Sequence, residues 1–207
     1  MQPLKVIALV GCALLATSCS SLSKEECSLG DWNAIGFADG ATGQNSSRIA
    51  DHRKACAEYG INPDLNLYLA GRERGLDQYC TPSNGHQVGL QGNSYSGVCH
   101  ERNESLFLQA YGAGLAVHDA KDKVSKAETE LRKTQGEIDK SEKAMNLART
   151  RRITSAQDGE AVRAELLSLG AQLNRLNTEK RALERDIERL KRELTSLQDR
   201  YRNGQYS

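Results

Sequence analysis

Apolar residues near the C-terminus recur in alternating steps of three and four. When this stretch is lettered in heptads a to g, every d position is apolar across six heptads. This repeat is typical of α-helices that pack in a coiled coil. The a positions are Leu166, Leu173, Lys180, Ile187, Leu194 and Tyr201, and the d positions are Val162, Leu169, Leu176, Leu183, Leu190 and Leu197.

An earlier stretch has the same heptad repeat, but its d positions are less apolar. Its a positions are Val117, Val124, Leu131, Ile138 and Met145, and its d positions are the small or polar Ala120, Ala127, Thr134, Ser141 and Ala148. The repeat then fails at Arg152, Ser155 and Gly159, and residues 154–159 favour a turn. We therefore predict a helical hairpin, in which a helix over 104–153 folds back on a helix over 160–203.

One continuous helix is the alternative to the hairpin. It would be about 130 Å long and would self-associate in parallel, whereas the hairpin arm would be about 65 Å long. The heptad phase runs unbroken across the proposed turn, which favours the continuous helix. The failed seam and Gly159 favour the hairpin.

Short helices are predicted between residues 27 and 115. Asp31 caps the first, and the second runs from about Ser47 to Tyr59. A cap followed by proline opens the third at Asn62-Pro63 and the fourth at Thr81-Pro82. The last begins at Glu104, with Leu108, Tyr111 and Leu115 inward. With no strand pattern, we predict an all-α fold, a small disulfide-stapled helical domain followed by a long coiled-coil hairpin.

The N-terminus has the pattern of a signal peptide. Lys5 precedes an apolar run from Val6 to Thr17 that is too short to span a bilayer. The small residues before Cys19 resemble the lipobox of bacterial lipoproteins, which implies a diacylated Cys19 at the mature N-terminus. A rival match at Cys12 leaves an apolar run of about six residues, too short for export. A secretory signal without lipid is the other alternative.

Six cysteines occur, and the signal peptide and the lipid site account for Cys12 and Cys19. Export to an oxidising compartment makes two disulfides the expectation for the other four. Three pairings are open, and Cys27–Cys56 with Cys80–Cys99 is favoured because each bond closes a local loop. The four cysteines lack a Cys-x-x-Cys pair, so we predict no metal site.

The composition and the motifs argue against several classes of function. The 28 basic and 27 acidic residues leave a net charge of +1, so we predict no nucleic-acid partner. The sequence has no visible acid/base pair or activated nucleophile, so we predict no catalytic residues, no cofactor and no enzymatic activity. Glycines at four-residue spacing indicate close helix packing. Alternatively, they build a groove for a glycan, peptide or small ligand near Trp32, Tyr68 and Arg72.

A series of motifs follows in order between residues 25 and 115. They are Cys27, then Asp31-Trp32-x-x-Ile35-Gly36-x-x-Asp39-Gly40, Cys56-Ala57-x-x-Gly60, Pro63-Asp64-x-x-x-Tyr68-x-x-Gly71-Arg72-x-x-Gly75-Leu76-x-x-Tyr79-Cys80 and Tyr95-x-Gly97-Val98-Cys99. In these residues the chain resembles an uncharacterised family of small proteobacterial envelope proteins that carries a domain-of-unknown-function label. The resemblance implies a helical, disulfide-containing envelope domain and no known activity.

The expected organisation is a signal peptide over 1–18, a lipidated tether over 19–26, the helical domain over 27–115 and the coiled coil over 116–203. We expect an envelope lipoprotein in the outer membrane facing the periplasm, since Ser20 is not the aspartate that retains such proteins in the inner membrane. Inner membrane or soluble periplasm are the alternatives. We expect a scaffold or spacer that meets an envelope protein, or a second copy, through its coil. The alternative is a ligand-binding module in 27–115.

Overall fold

The computed structural model describes residues 22–202 and 206, and all seven regular elements in that part of the chain are α-helices. Neither the predicted signal peptide nor Cys19 lies among these residues. The predicted all-α fold is confirmed. Within the described ranges, no helix combines the length and apolar character needed to cross a membrane. The helices are α1 Lys24–Leu29, α2 Trp32–Ala41, α3 Arg48–Ala57, α4 Leu65–Tyr79, α5 Pro82–Leu90, α6 Glu104–Thr150 and α7 Ala156–Tyr201.

The chain divides into two compact units between Gly75 and Leu76, inside α4. The predicted domain boundary at residue 115 falls inside α6, which continues unbroken to Thr150. The start of α6 packs on α5 and the rest of it packs on α7. One helix therefore belongs both to the disulfide-stapled region and to the hairpin.

The first unit contains a helix that the sequence analysis missed. The helix α1 begins where Ser23 and Glu26 form a capping box, each side chain accepting a hydrogen bond from the other residue's backbone N–H. It overlaps the segment predicted as a tether. A disulfide joins Cys27 of this helix to Cys56 of α3, and both sulfurs lie in a buried cluster with Leu22, Trp32, Ile49 and Tyr68.

The crossing of α2 and α4 depends on glycines on both helices. A Cβ added at Gly36 would overlap the backbone carbonyl oxygen of Tyr68, and one at Gly71 would overlap that of Asn33. Gly40 and Gly75 are equally crowded by the facing backbone. Small residues allow two helix backbones to approach this closely, and a side chain on either face would push them apart. The predicted close packing therefore accounts for these four glycines.

The second unit repeats this plan with α5 and α6. Gly85, Gly89 and Gly114 face the backbone of the opposite helix. A disulfide between Cys80 and Cys99 confirms, together with the first, the favoured pairing. It lies in a buried cluster with Leu76, Tyr79, Val88, Val98 and Phe107.

The inward face predicted for the start of α6 was wrong at Leu108. This side chain is exposed, and Phe107 and Ala110 are buried instead. The reason is that α6 packs Phe107 and its small residues against the glycines of α5, and this close contact turns Leu108 outward.

The predicted hairpin is confirmed. The helix α6 ends at Thr150 and α7 begins at Ala156. Salt bridges from Arg151 to Glu165 at 2.6 Å and from Glu128 to Lys191 at 2.9 Å show that the two helices run antiparallel. The turn occupies 151–155 rather than the predicted 154–159, because Ser155 caps α7 with its side chain. With 47 residues, α6 is about 70 Å long.

Candidate functional site: the hairpin and its tip

The three residues predicted to bind a ligand are all buried in the first unit. Trp32 belongs to the core cluster around the disulfide. Tyr68 is 0% exposed and donates its hydroxyl hydrogen to Asp39 at 2.8 Å. Arg72 donates from Nε and Nη2 to the carbonyl oxygen of Gln44, at 3.0 and 2.8 Å. Each side chain is thus committed to internal packing or hydrogen bonding, and together they do not form an open groove.

Asp39 is the centre of a polar network inside this unit. One oxygen of its carboxylate accepts hydrogen bonds from Nε2 of His52 at 2.7 Å and from the hydroxyl of Tyr68 at 2.8 Å. Burial by itself raises the pKa of Asp39, but the hydrogen bonds and nearby positive charge outweigh burial, and the pKa of Asp39 is lowered. Burial, with the bond to Asp39, raises the pKa of Tyr68.

We expect the Asp39 network to stabilise the first unit above about pH 4 and to lose this effect as the pH falls. A carboxyl group with a lowered pKa in the folded state stabilises the fold above its unfolded pKa of about 3.9. Asp39→Asn should therefore reduce the free energy of unfolding by about 2 kcal/mol at pH 6. The deficit relative to wild type should shrink toward pH 3. Urea titrations followed by circular dichroism measure both values, and a pH-independent deficit would contradict the assignment.

The hairpin seam follows the predicted heptads. On α6, the buried residues include the predicted a positions Val117, Val124 and Ile138. The small d residues Ala120, Thr134, Ser141 and Ala148 are buried as well. On α7, Val162, Leu176 and Ile187 are buried, and the other predicted leucines are half-buried. The short side chains of α6 cover little of the facing leucines, so α7 keeps apolar surface in contact with solvent.

The end of the hairpin exposes large apolar side chains. Leu147 is 72% exposed, Ile153 58% and Leu167 71%. We define the tip as residues 147–155 together with Leu167. The half of α7 next to the tip, residues 156–178, carries five charged residues out of 23, whereas residues 179–201 carry 13 out of 23. The tip-side half of α7 is therefore the less charged half of that helix, whereas the facing residues 128–150 of α6 carry ten charged residues out of 23.

The second unit also contains a cleft that the sequence analysis did not find. It has a volume of about 360 Å³ and lies between α5, α6 and the end of α7. His86 lines it, with the rings of Tyr201 and Tyr206 centred 6.4 and 5.1 Å from the imidazole. Its lining comes from positions more than 100 residues apart in the chain, so no local motif marks it. Among the described residues, no cluster of side chains is suited to hold a metal ion.

These features define a class of all-helical protein, in which disulfide-linked, glycine-faced helix pairs precede a long antiparallel hairpin. Residues 31–116 match the model of a family described as a protein of unknown function, DUF2799. The match begins at the cap of α2 and ends within α6, so it covers less than half of the chain and leaves out most of the hairpin. It supports the resemblance to an uncharacterised domain family. No curated protein and no solved structure matches the chain.

Proposed function

We propose that the protein is a bacterial envelope lipoprotein that acts as a scaffold or spacer through its helical hairpin. The lipobox-like segment ending at Cys19 supports attachment to a membrane, with the outer membrane favoured by Ser20. Two disulfides suit an oxidising compartment outside the cytoplasm.

The hairpin itself carries the proposal. Two helices of 47 and 46 residues form a long arm that exposes Leu147, Ile153 and Leu167 toward one end. Soluble proteins expose scattered apolar residues without consequence, but apolar residues grouped at one end of a charged arm mark an interaction site. Within the second unit, the arm holds that site at a distance from the Cys80–Cys99 disulfide.

Photo-crosslinking in cells tests whether the tip meets another envelope component. With the probe at Arg152, we expect a discrete adduct, because this exposed residue lies in the tip. With the probe at Arg185, on the charge-rich half of α7, we expect none. Arg72 is not a suitable probe position since it is buried. Equal labelling from Arg152 and Arg185, or none from either, would argue against a site at the tip.

The cleft around His86 supports a second candidate, a ligand-binding module. Clefts of this size accommodate small molecules, and tyrosine rings with Lys121 and Arg202 at the lining suit an anionic sugar or peptide. Soluble peptidoglycan fragments are the probe. A rise in the melting temperature that Tyr201→Ala abolishes would favour this candidate over the scaffold, and no rise would leave the scaffold as the better account.

A further inference from the structure

We infer that the tip of the hairpin docks on an anionic lipid surface. This inference goes beyond the proposed scaffold, because it concerns a second membrane contact at the end of the arm that does not depend on lipidation at Cys19. Three features of the tip carry it: its charge, its apolar side chains and its small area.

The charge of residues 147–155 is wholly basic. Arg149, Arg151 and Arg152 lie there, and the segment contains no acidic residue. Arg151 pairs with Glu165 across the hairpin at 2.6 Å. Arg149 and Arg152 are exposed, and within the described part of the chain no carboxylate lies within 4 Å of either guanidinium. The tip thus presents two arginines whose charge is not neutralised by a salt bridge.

Two of the apolar side chains of the tip, Leu147 and Leu167, lie at similar heights along the hairpin. Counted from the Arg151–Glu165 pair, position 147 is level with position 169, so Leu147 and Leu167 differ in height by about 3 Å. Ile153 lies in the turn itself. Apolar side chains next to basic ones are the combination that binds the boundary between lipid headgroups and acyl chains. Arginine suits this position because its aliphatic stem packs against apolar surface while its charge reaches the headgroups.

The size of the tip favours a lipid surface over a folded protein. A helix with its side chains is about 10–12 Å across and Leu167 lies about 16 Å from the start of α7, so one face of the tip offers an area on the order of 350 Å². A stable protein interface needs about 800 Å² on each partner. Lipid binding requires only that a few side chains enter the interfacial layer.

The charge of the tip also disfavours a second copy of the chain as the occupant. Two hairpins aligned side by side would bring the exposed arginines of both copies to the same height. Like charges at close range repel, and they would be partly desolvated in such a contact. An anionic headgroup layer neutralises the same arginines, and each basic residue near such a surface strengthens binding roughly five-fold.

Vesicle co-sedimentation tests the inference with the mature chain from residue 19 carrying Cys19→Ala, which removes any lipid. The probes are vesicles of phosphatidylglycerol and phosphatidylcholine in equal parts, and vesicles of phosphatidylcholine alone. We expect binding to the anionic vesicles and little to the neutral ones. Arg149→Glu combined with Arg152→Glu should weaken binding by at least about 25-fold. Replacing Leu147, Ile153 and Leu167 by glutamine should weaken it several-fold.

Arg185→Glu combined with Arg192→Glu is the matched control. It makes the same charge change at exposed positions of α7, and Arg185 is about 44 Å from the start of that helix, far beyond a screening length of about 10 Å. The control should bind within two-fold of the parent, and circular dichroism should show equal helicity throughout.

Three results would overturn the inference. One is the absence of binding to anionic vesicles. Another is an equal loss of vesicle binding in the tip variant and the control variant, which would indicate that charges along the whole arm attract the vesicles. The third is self-association in sedimentation velocity, without vesicles, that the glutamine variant abolishes, since this would make a second copy the occupant. A protein adduct from Arg152 in cells without vesicle binding would overturn this inference and keep the proposed function, whereas vesicle binding without an adduct would do the reverse, so the two fail separately.

Discussion

Gly114→Ala is expected to lower the free energy of unfolding of the second unit by about 3 kcal/mol or more. This value is at the upper end of the range for substitutions that insert an extra carbon into a packed core. The added Cβ would overlap the carbonyl oxygen of His86 and lie 2.8 Å from the backbone nitrogen of Leu90. Both are backbone atoms of α5, so no side chain can rotate away and the two helices must separate. The Phe107 ring and the Cys80–Cys99 disulfide pack beside this crossing and would lose contacts as it opens.

Gly112→Ala is the matched control, two residues earlier on the same helix. A Cβ at Gly112 would have no atom within 4 Å outside its own helix. Since alanine favours helix over glycine, this change should stabilise the protein by up to about 1 kcal/mol. Urea unfolding followed by circular dichroism compares the two variants with wild type. If both substitutions change the free energy of unfolding equally, the close crossing of α5 and α6 does not determine the stability of the second unit.

Removing the Cys27–Cys56 disulfide by replacing both residues with alanine should lower the free energy of unfolding of the first unit by about 3 kcal/mol. The two cysteines are 29 residues apart, so the bond closes a sizeable loop in the unfolded chain. It also joins α1 to α3, and six residues are too few to form a stable helix alone. We expect α1 to detach, which limited proteolysis detects as new cleavage between residues 22 and 30.

The Cys80–Cys99 bond serves as the comparison within the same chain. Its loop spans 19 residues, and its replacement by alanines should cost a similar amount without exposing residues 22–30 to protease. Full-length wild type treated with dithiothreitol, which reduces both disulfides, should show both the loss of stability and the new cleavage between residues 22 and 30. Unchanged stability and unchanged cleavage in the Cys27–Cys56 variant would mean that the packing of Leu22 and Trp32 alone holds α1 in place.

The three residues predicted to bind a ligand are buried, and the sequence alone could not show this. Trp32, Tyr68 and Arg72 combine aromatic and basic character next to paired glycines, which is also the composition of a binding groove. The same glycines bring α2 and α4 so close that the side chains beside them are enclosed. A sequence records which residues share a helix face, but it does not record the distance to the helix opposite.

The heptads, the helix caps and the cysteine spacing are local features, and the sequence by itself determined them. They predicted α2, α5, the seam of the hairpin and the disulfide pairing, because each depends on residues that are near in the chain or repeat with a fixed period. The capping box at Ser23 and Glu26 was equally local and would have identified α1. Only the tertiary structure decided the burial of Tyr68 and Arg72, the turn at 151–155, the cleft at His86 and the exposure of Leu147 and Leu167. Each of these depends on how closely two distant segments approach, which is a property of packing and not of any one segment.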